Sequence, residues 1–226
     1  MISGETRLVG LLGDPVSGSL SPLMQNAAFA ARGLDWVYVP LAVQAERLED
    51  ALCGLVALGF AGANVTTPHK LAVAKLVGAD VPSVNALVVR EGRLQGSSTD
   101  AAILAGMEFE RAAIVGDGGA ATAFAEALPD AVRFSRRGVW PPEVADVDLV
   151  VHATSERDES VVELRAGQTL VDLPYPATAT AREAERLGAH VIDGLDVLVA
   201  QGAAAFELWT GAPAPVDVMR AALQVC

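Results

Sequence analysis

Apolar residues fall along this chain in short unbroken runs rather than in strict alternation. Residues 8–12 (LVGLL), 37–41 (VYVPL), 62–65 (GANV), 85–89 (NALVV), 112–115 (AAIV), 131–134, 148–152 (DLVVH), 169–172 (TLVD) and 190–192 read as strands. Strands covered on both faces, as in parallel sheets, have this character. Pro40 marks the second run as an edge strand or a strand end. Helix segments lie between the runs, at 21–32, 45–58, 68–76, 120–127, 180–187 and 197–208, with a connecting helix over 101–110. Ser21 is the expected N-cap of the first, with Pro22 at the first helical position. Gly188 is the expected stop of the helix at 180–187. Alternating strands and helices predict an α/β fold with parallel sheets. The pattern restarts at 111–128 (RAAIVGDGGAATAFAEAL). That places a boundary near residue 101, with domains at 1–100 and 101–195 and the helices of 196–226 packing back on the first.

Composition narrows the class. Of 226 residues, 52% are hydrophobic and 19% charged, too apolar for a disordered chain. A net charge of −12 argues against nucleic acid and against a polybasic membrane-surface protein, since both need basic surface. It leaves small anionic ligands open, because those need only a local positive site. The two cysteines, Cys53 and Cys226, make no disulfide framework, which fits a reducing compartment. The start of the chain lacks a signal-peptide pattern, and no apolar run reaches the roughly 18 residues of a membrane span. A soluble cytoplasmic protein is expected, acting on a small molecule as a monomer or homodimer.

Candidate chemistry gathers at the strand ends. Gly116-Asp117-Gly118-Gly119-Ala120 joins a strand to a helix. Glycines there permit a tight turn and the approach of a pyrophosphate to helix N-terminal N–H groups. By itself the turn is equally an ordinary βα connection. The next strand, however, ends in Ser135-Arg136-Arg137, where dinucleotide-binding sheets select their cofactor. An acid at that point suits NAD, and arginines suit the 2′-phosphate of NADP. With Arg133 these arginines form the densest basic cluster of an acidic chain, so NADP is the expected cofactor.

In the first half, Ser17, Ser19 and Ser21 precede or open a helix, which suits a carboxylate or phosphate as well as simple capping. The segment from Asn64 to Lys70 (NVTTPHK) is a second strand end leading into a helix. The chain has two lysines, Lys70 and Lys75, against fourteen arginines. An ammonium can deliver a proton in a way a guanidinium cannot, so a lysine at this junction is a catalytic candidate. Asn85 and the stretch Gly96-Ser97-Ser98-Thr99-Asp100 follow, with Asp100 either a helix cap or a partner for Lys70. The three histidines His69, His152 and His190 are scattered and suggest no metal site.

Together these segments resemble the shikimate dehydrogenase family, whose pattern is G-x-P-x-x-H-S-x-S-P, N-V-T-x-P-x-K, A-V-N-T, G-x-N-T-D and G-x-G-G-A. The order is the same over nearly the whole chain, and the tail from Asp193 to Gly211 is similar to the family's end. The resemblance implies a two-lobed α/β protein, a substrate-binding domain plus a Rossmann-like dinucleotide domain. It implies NADP-dependent, reversible reduction of 3-dehydroshikimate to shikimate, without a metal. Carried over position by position, Lys70 and Asp100 match the catalytic pair. Ser19 and Ser21 match the substrate-carboxylate serines. Asn64, Thr66, Asn85, Gln201 and Tyr175 match further substrate groups. Gly116, Gly118, Gly119 and Ala120 match the pyrophosphate turn, and Ser135, Arg136 and Arg137 the 2′-phosphate clamp. Thr154 and Gly194 match cofactor-side positions.

The chain departs from the pattern at Gly18 (family histidine), Ser98 (asparagine), His152 (asparagine), Glu156-Arg157 (often Gly-Met) and Val197 (commonly methionine). Most of these lie on the cofactor-side loops. Relatives using quinate or an aminated shikimate, and a non-catalytic binding protein of the same fold, are the alternatives.

Overall fold

The computed structural model describes residues 2–224. Cys226 lies outside them, and Cys53 is a free, exposed thiol. The chain divides into two compact units, Met1–Thr99 with Val199–Cys226, and Asp100–Leu198.

The first unit is built on a five-stranded sheet of order β2-β1-β3-β4-β5. Its strands are β1 (Arg7–Gly13), β2 (Trp36–Ala42), β3 (Gly62–Val65), β4 (Ala86–Arg90) and β5 (Arg93–Ser97). β2 is an edge strand, as its proline requires. The sheet is not all parallel as expected: β1 runs parallel to β2 and β3, but β4 is antiparallel to β3 and to β5. The reason is the two-residue link Glu91-Gly92. Both residues have positive φ, 51° and 71°. A turn of that type matches strand twist and folds β5 straight back on β4, pairing Arg90 with Arg93. The sequence reading omitted β5 because RLQGS has no apolar run.

Side-chain alternation along this sheet separates two jobs. Leu12, Ala63, Val65 and Leu87 join Leu48, Leu52 and Leu55 of α2 (Leu48–Ala57) and Val73 of α3 (Lys70–Leu76) in one apolar core. On α1 (Ser21–Ala31), Phe29 stacks on Phe206 of α6 (Gly194–Thr210), with ring centroids 5.4 Å apart. Helix starts differ in detail from expectation. α1 begins at Ser21 itself, preceded by Leu20 with no side-chain cap, so Ser21 is not the N-cap. Residues 45–47 form a 3-10 turn before α2, and α3 begins at Lys70 rather than Pro68.

The second unit holds a wholly parallel sheet of order β10-β9-β8-β6-β7. Its strands are β6 (Ala112–Val115), β7 (Val132–Phe134), β8 (Leu149–His152), β9 (Thr169–Asp172) and β10 (His190–Ile192). α4 (Gly119–Ala127) links β6 to β7, and α5 (Ala179–Arg186) links β9 to β10. Thr178 caps α5 by accepting from the N–H of Ala181, and Gly188, at φ 82°, ends it. The expected helix over 101–110 is only a 3-10 turn, Asp100–Leu104, closed off by Gly106 at φ 77°. α7 (Val216–Leu223) completes the chain in the first unit.

Two crossovers in the parallel sheet, 135–148 and 153–168, carry no helix among the described residues. One sheet face is covered instead by Val144, Val147, Val161, Val162 and Leu164 from these loops, together with α5. A loop over a core leaves carbonyls in need of donors. Gln168 supplies them: its buried Nε2 donates to Val144 O and Val147 O, each at 2.7 Å, while its Oε1 accepts from Arg165 N at 2.8 Å. Replacing Gln168 by Ala strands two buried carbonyls and is expected to lower stability by about 2–4 kcal/mol. Urea unfolding followed by circular dichroism measures this, and a loss below about 0.5 kcal/mol would show that apolar contacts alone hold the loops.

Candidate active site

In the first unit, the ends of β3 and β4 carry a buried polar cluster. Asn64 sits near the end of β3, and Tyr38 Oη donates to its Oδ1 at 2.8 Å. Asn64 Nδ2 donates to the backbone carbonyl of Asn85 at 2.8 Å. Asn85 Oδ1 accepts from Thr99 N at 2.6 Å, while its Nδ2 donates to Thr99 Oγ1 at 2.9 Å and to Gln201 Oε1 at 3.3 Å. Thr99 Oγ1 donates to Gln201 O at 3.0 Å, and Gln25 Nε2 donates to Gly202 O at 2.8 Å. Asn64, Asn85 and Gln201, far apart in sequence, are thus gathered into one network. Tyr38 and Gln25 were missed by sequence reasoning. A tyrosine in a strand and a glutamine in a helix look like ordinary core and surface positions until their partners are known.

The neighbouring loops set the other candidates. Ser19 Oγ accepts from Ser21 N at 3.3 Å, so both serines belong to one turn at the start of α1. Asp14 N donates to Thr67 O at 3.1 Å, tying that turn to the loop bearing Thr66. His69 is buried, and its Nε2 lies 2.6 Å from Val43 O. This anchors the residue before Lys70, which is half-buried and heads α3. Ser98, where the family has asparagine, has a buried hydroxyl with no hydrogen-bond partner among the described residues. Asp100 is buried and directly follows Thr99, as the first residue of the second unit.

In the second unit, Gly116 closes β6. A Cβ there would lie 2.6 Å from Ala153 O, so only glycine lets the two strand ends meet. Gly118, Gly119 and Ala120 form the N-terminal turn of α4, and the space in front of Gly118 is open. Beyond the strand ends is a cavity of about 310 Å³ whose lining includes Gly116, Ser135, Arg136, Arg137 and Thr154. Five of the cofactor candidates thus share one cavity, while Gly118, Gly119, Ala120 and Gly194 lie outside its lining. Gly194 heads α6, packed so tightly that a Cβ would lie 2.3 Å from Pro174 O. Tyr175 is half-buried in the loop after β9.

Buried beside this cavity is a hydrogen-bonded chain. His152 Nδ1 lies 2.7 Å from Asp172 Oδ1 and its Nε2 lies 2.6 Å from Thr154 Oγ1. Asp172 also accepts from the N–H and hydroxyl of Thr178, each at 3.1 Å. Thr154 Oγ1 accepts from Glu156 N at 3.1 Å. Both ring nitrogens, the Asp172 carboxylate and the Thr154 hydroxyl thus each have a partner in the chain. Glu156 Oε1 accepts from the N–H groups of Arg157, Asp158 and Glu159 at 3.1, 3.2 and 3.4 Å. Those N–H groups, Asp158 and Glu159 foremost, hold its carboxyl below the usual glutamate range.

Among the described residues no group of three or more His, Cys, Asp or Glu could hold a metal ion. Among the described residues no helix is long and apolar enough to cross a membrane.

A parallel sheet with a glycine turn at the first βα junction and arginines past the second strand defines a dinucleotide-binding α/β protein. The comparisons with known proteins are narrower. A profile described as the shikimate dehydrogenase substrate binding domain matches residues 11–87, and one described as the shikimate 5'-dehydrogenase C-terminal domain matches 194–224. A shikimate dehydrogenase (NADP(+)) of Anaeromyxobacter sp. (strain Fw109-5) is 38% identical, with 99% of this chain and 98% of the relative covered. A crystal structure of a shikimate dehydrogenase in complex with NADP+ superposes at a TM-score of 0.88 and 31% identity, covering 100% of this chain and 97% of that one. The Listeria monocytogenes shikimate 5-dehydrogenase, in complex with shikimate and NAD, gives 0.83 and 30%, with 98% of each chain covered. The chain belongs to the shikimate dehydrogenase family.

Truncating His152 to Ala leaves the buried Asp172 carboxylate without its ring partner. The expected cost is about 2–3 kcal/mol, the loss of a buried hydrogen bond to a charged acceptor, against roughly 1 kcal/mol for His152→Asn, which retains a donor. Thermal or urea unfolding of the two variants measures the difference, and a cost below about 0.5 kcal/mol for His152→Ala would show that the His152–Asp172 contact stabilises nothing.

Proposed function

We propose that this protein is an NADP-dependent oxidoreductase that reversibly reduces 3-dehydroshikimate to shikimate, a step of aromatic amino-acid biosynthesis. The observation that carries the reading is the cluster of Asn64, Asn85 and Gln201. The family resemblance assigns these residues to the substrate hydroxyls, and their donors and acceptors converge in the unit that also bears Lys70. Thr66 and Tyr175 complete the polar contacts, and Ser19 and Ser21 hold the substrate carboxylate. The first unit is the substrate domain and the second the nucleotide domain. The protein works in the cytoplasm on small molecules, as a monomer or homodimer.

The donor set of the second unit fits a phosphorylated dinucleotide. The turn of Gly116, Gly118, Gly119 and Ala120 offers backbone N–H groups to a pyrophosphate. Ser135, Arg136 and Arg137 offer a hydroxyl and two guanidiniums to the 2′-phosphate. Thr154 and Gly194 shape the cofactor-side loops. NADPH held there would supply hydride chemistry to the substrate carbonyl. Lys70 delivers the proton that the developing alkoxide requires and takes it back in the oxidative direction. The family resemblance makes Asp100 the second member of the catalytic pair with Lys70. The buried amides of Asn64 and Asn85 are held by partners before substrate arrives, so little reorganisation accompanies binding.

Purified protein given shikimate and NADP should produce reduced nicotinamide, followed by its absorbance, and failure to do so sinks the proposal. Lys70→Ala is expected to lower kcat by about 100-fold or more with a small effect on KM for shikimate. A KM effect alone would make Lys70 a binding group. Arg136→Gln is expected to raise KM for NADP by roughly 5–10-fold while leaving NAD nearly unchanged. Equal loss for both nucleotides would remove Arg136 from the 2′-phosphate.

A further inference from the structure

The arginines of the nucleotide cavity do not face it as bare positive charges. Arg136 Nη2 lies 3.7 Å from Glu156 Oε2, and Arg137 Nε lies 3.7 Å from Asp117 Oδ2. All four side chains line the same cavity, so their formal charges cancel. The two pairs are not equivalent. Arg137 is 89% exposed, and solvent screens its pairing strongly. Glu156 is 29% exposed and fixed in place. Three backbone N–H groups hold its Oε1, and Thr154, itself anchored through His152 to Asp172, holds its N–H. Its carboxylate therefore stays charged and stays beside Arg136. The Arg136 guanidinium lies over the Trp140 ring, 5.5 Å from the centroid, which limits its freedom to swing away.

A 2′-phosphate brings about −1.5 to −2 charges near neutral pH. Binding to Arg136, it meets a fixed carboxylate that already shares that guanidinium. A ribose 2′-hydroxyl brings no charge, so Glu156, in the loop after β8, does not repel it. We infer that Glu156 sets cofactor choice in this protein by offsetting Arg136, so that the cavity accepts NAD as well as NADP. The inference rests on the nucleotide reading given above. It makes Glu156, where the family often has glycine, a specificity-determining residue.

Glu156→Gln is the test, because the amide oxygen still accepts the three backbone N–H groups while the charge is gone. Affinities for NADP+ and NAD+ are measured by quenching of tryptophan fluorescence, and kcat/KM for each nucleotide is measured with shikimate. Wild-type protein is expected to turn over with both. The variant is expected to shift the preference toward NADP by roughly 3–10-fold, less at high salt. Glu156→Ala, which also removes the acceptor of the loop, should lose affinity for both nucleotides relative to Glu156→Gln. An unchanged ratio, a shift toward NAD, or wild-type turnover with NADP alone overturns the inference. If Arg136→Gln weakens NADP while Glu156→Gln leaves the ratio unchanged, the inference fails and the nucleotide reading stands. Wild-type protein that binds neither nucleotide overturns both.

Discussion

Asn85 has almost no contact with solvent, yet its side-chain amide presents both a carbonyl and an NH2 group. A buried amide costs free energy unless its groups find partners. Here the carbonyl accepts from the N–H of Thr99, and the amide NH2 donates to Thr99 and Gln201. Its backbone is used as well: the carbonyl accepts from Val65 N and Asn64 Nδ2, and the N–H donates to Ser97 O. The end of β3, the end of β5 and the middle of α6 are therefore held by one residue. The candidate substrate groups of the first unit inherit their positions from this requirement. Tyr38 extends the same logic to β2 by satisfying Asn64.

The second unit solves a different problem. A parallel sheet needs cover on both faces, and helices usually provide it because they satisfy their own backbone. Here α4 covers one face, while the other relies partly on loop valines. Loops bring unsatisfied carbonyls and mobile ends, so buried polar side chains must do what helical hydrogen bonds would have done. Gln168 does so beneath the 135–148 loop, and the Asp172–His152–Thr154 chain does so at the start of the 153–168 loop. The histidine that departs from the family pattern is accordingly a fully partnered structural group. Because Thr154 binds the N–H of Glu156, this interior chain also fixes a charge that lines the same cavity as Arg136 and Arg137.

The acidic character of the protein acquires a local meaning there. Net charge bears on which macromolecules a chain avoids, but it does not describe a cavity. Arg136 and Arg137 stand out in the sequence as a positive cluster, and each has a carboxylate opposite it in the fold. Both pairings join residues about twenty apart in the chain, so no reading of charge runs could have found them.

What the sequence determined by itself is what depends on neighbours along the chain. The unbroken apolar runs identified the strands of the parallel sheet, Gly188 ended its helix, and Gly116 marked a turn that tolerates no side chain. The ordered motifs were specific enough to identify the family. The tertiary structure decided what depends on partners remote in sequence. Glu91-Gly92 turned the first sheet from parallel to mixed, because turn geometry outweighs the apolar pattern of the strands it joins. The 101–110 segment stayed a single short turn, because favourable helix composition cannot carry a chain through Gly106 at positive φ. Tyr38, Gln25, Gln168 and Glu156 gained their roles only through groups brought to them by folding. A hydrogen bond or ion pair is a property of two residues, and the sequence displays each of them alone.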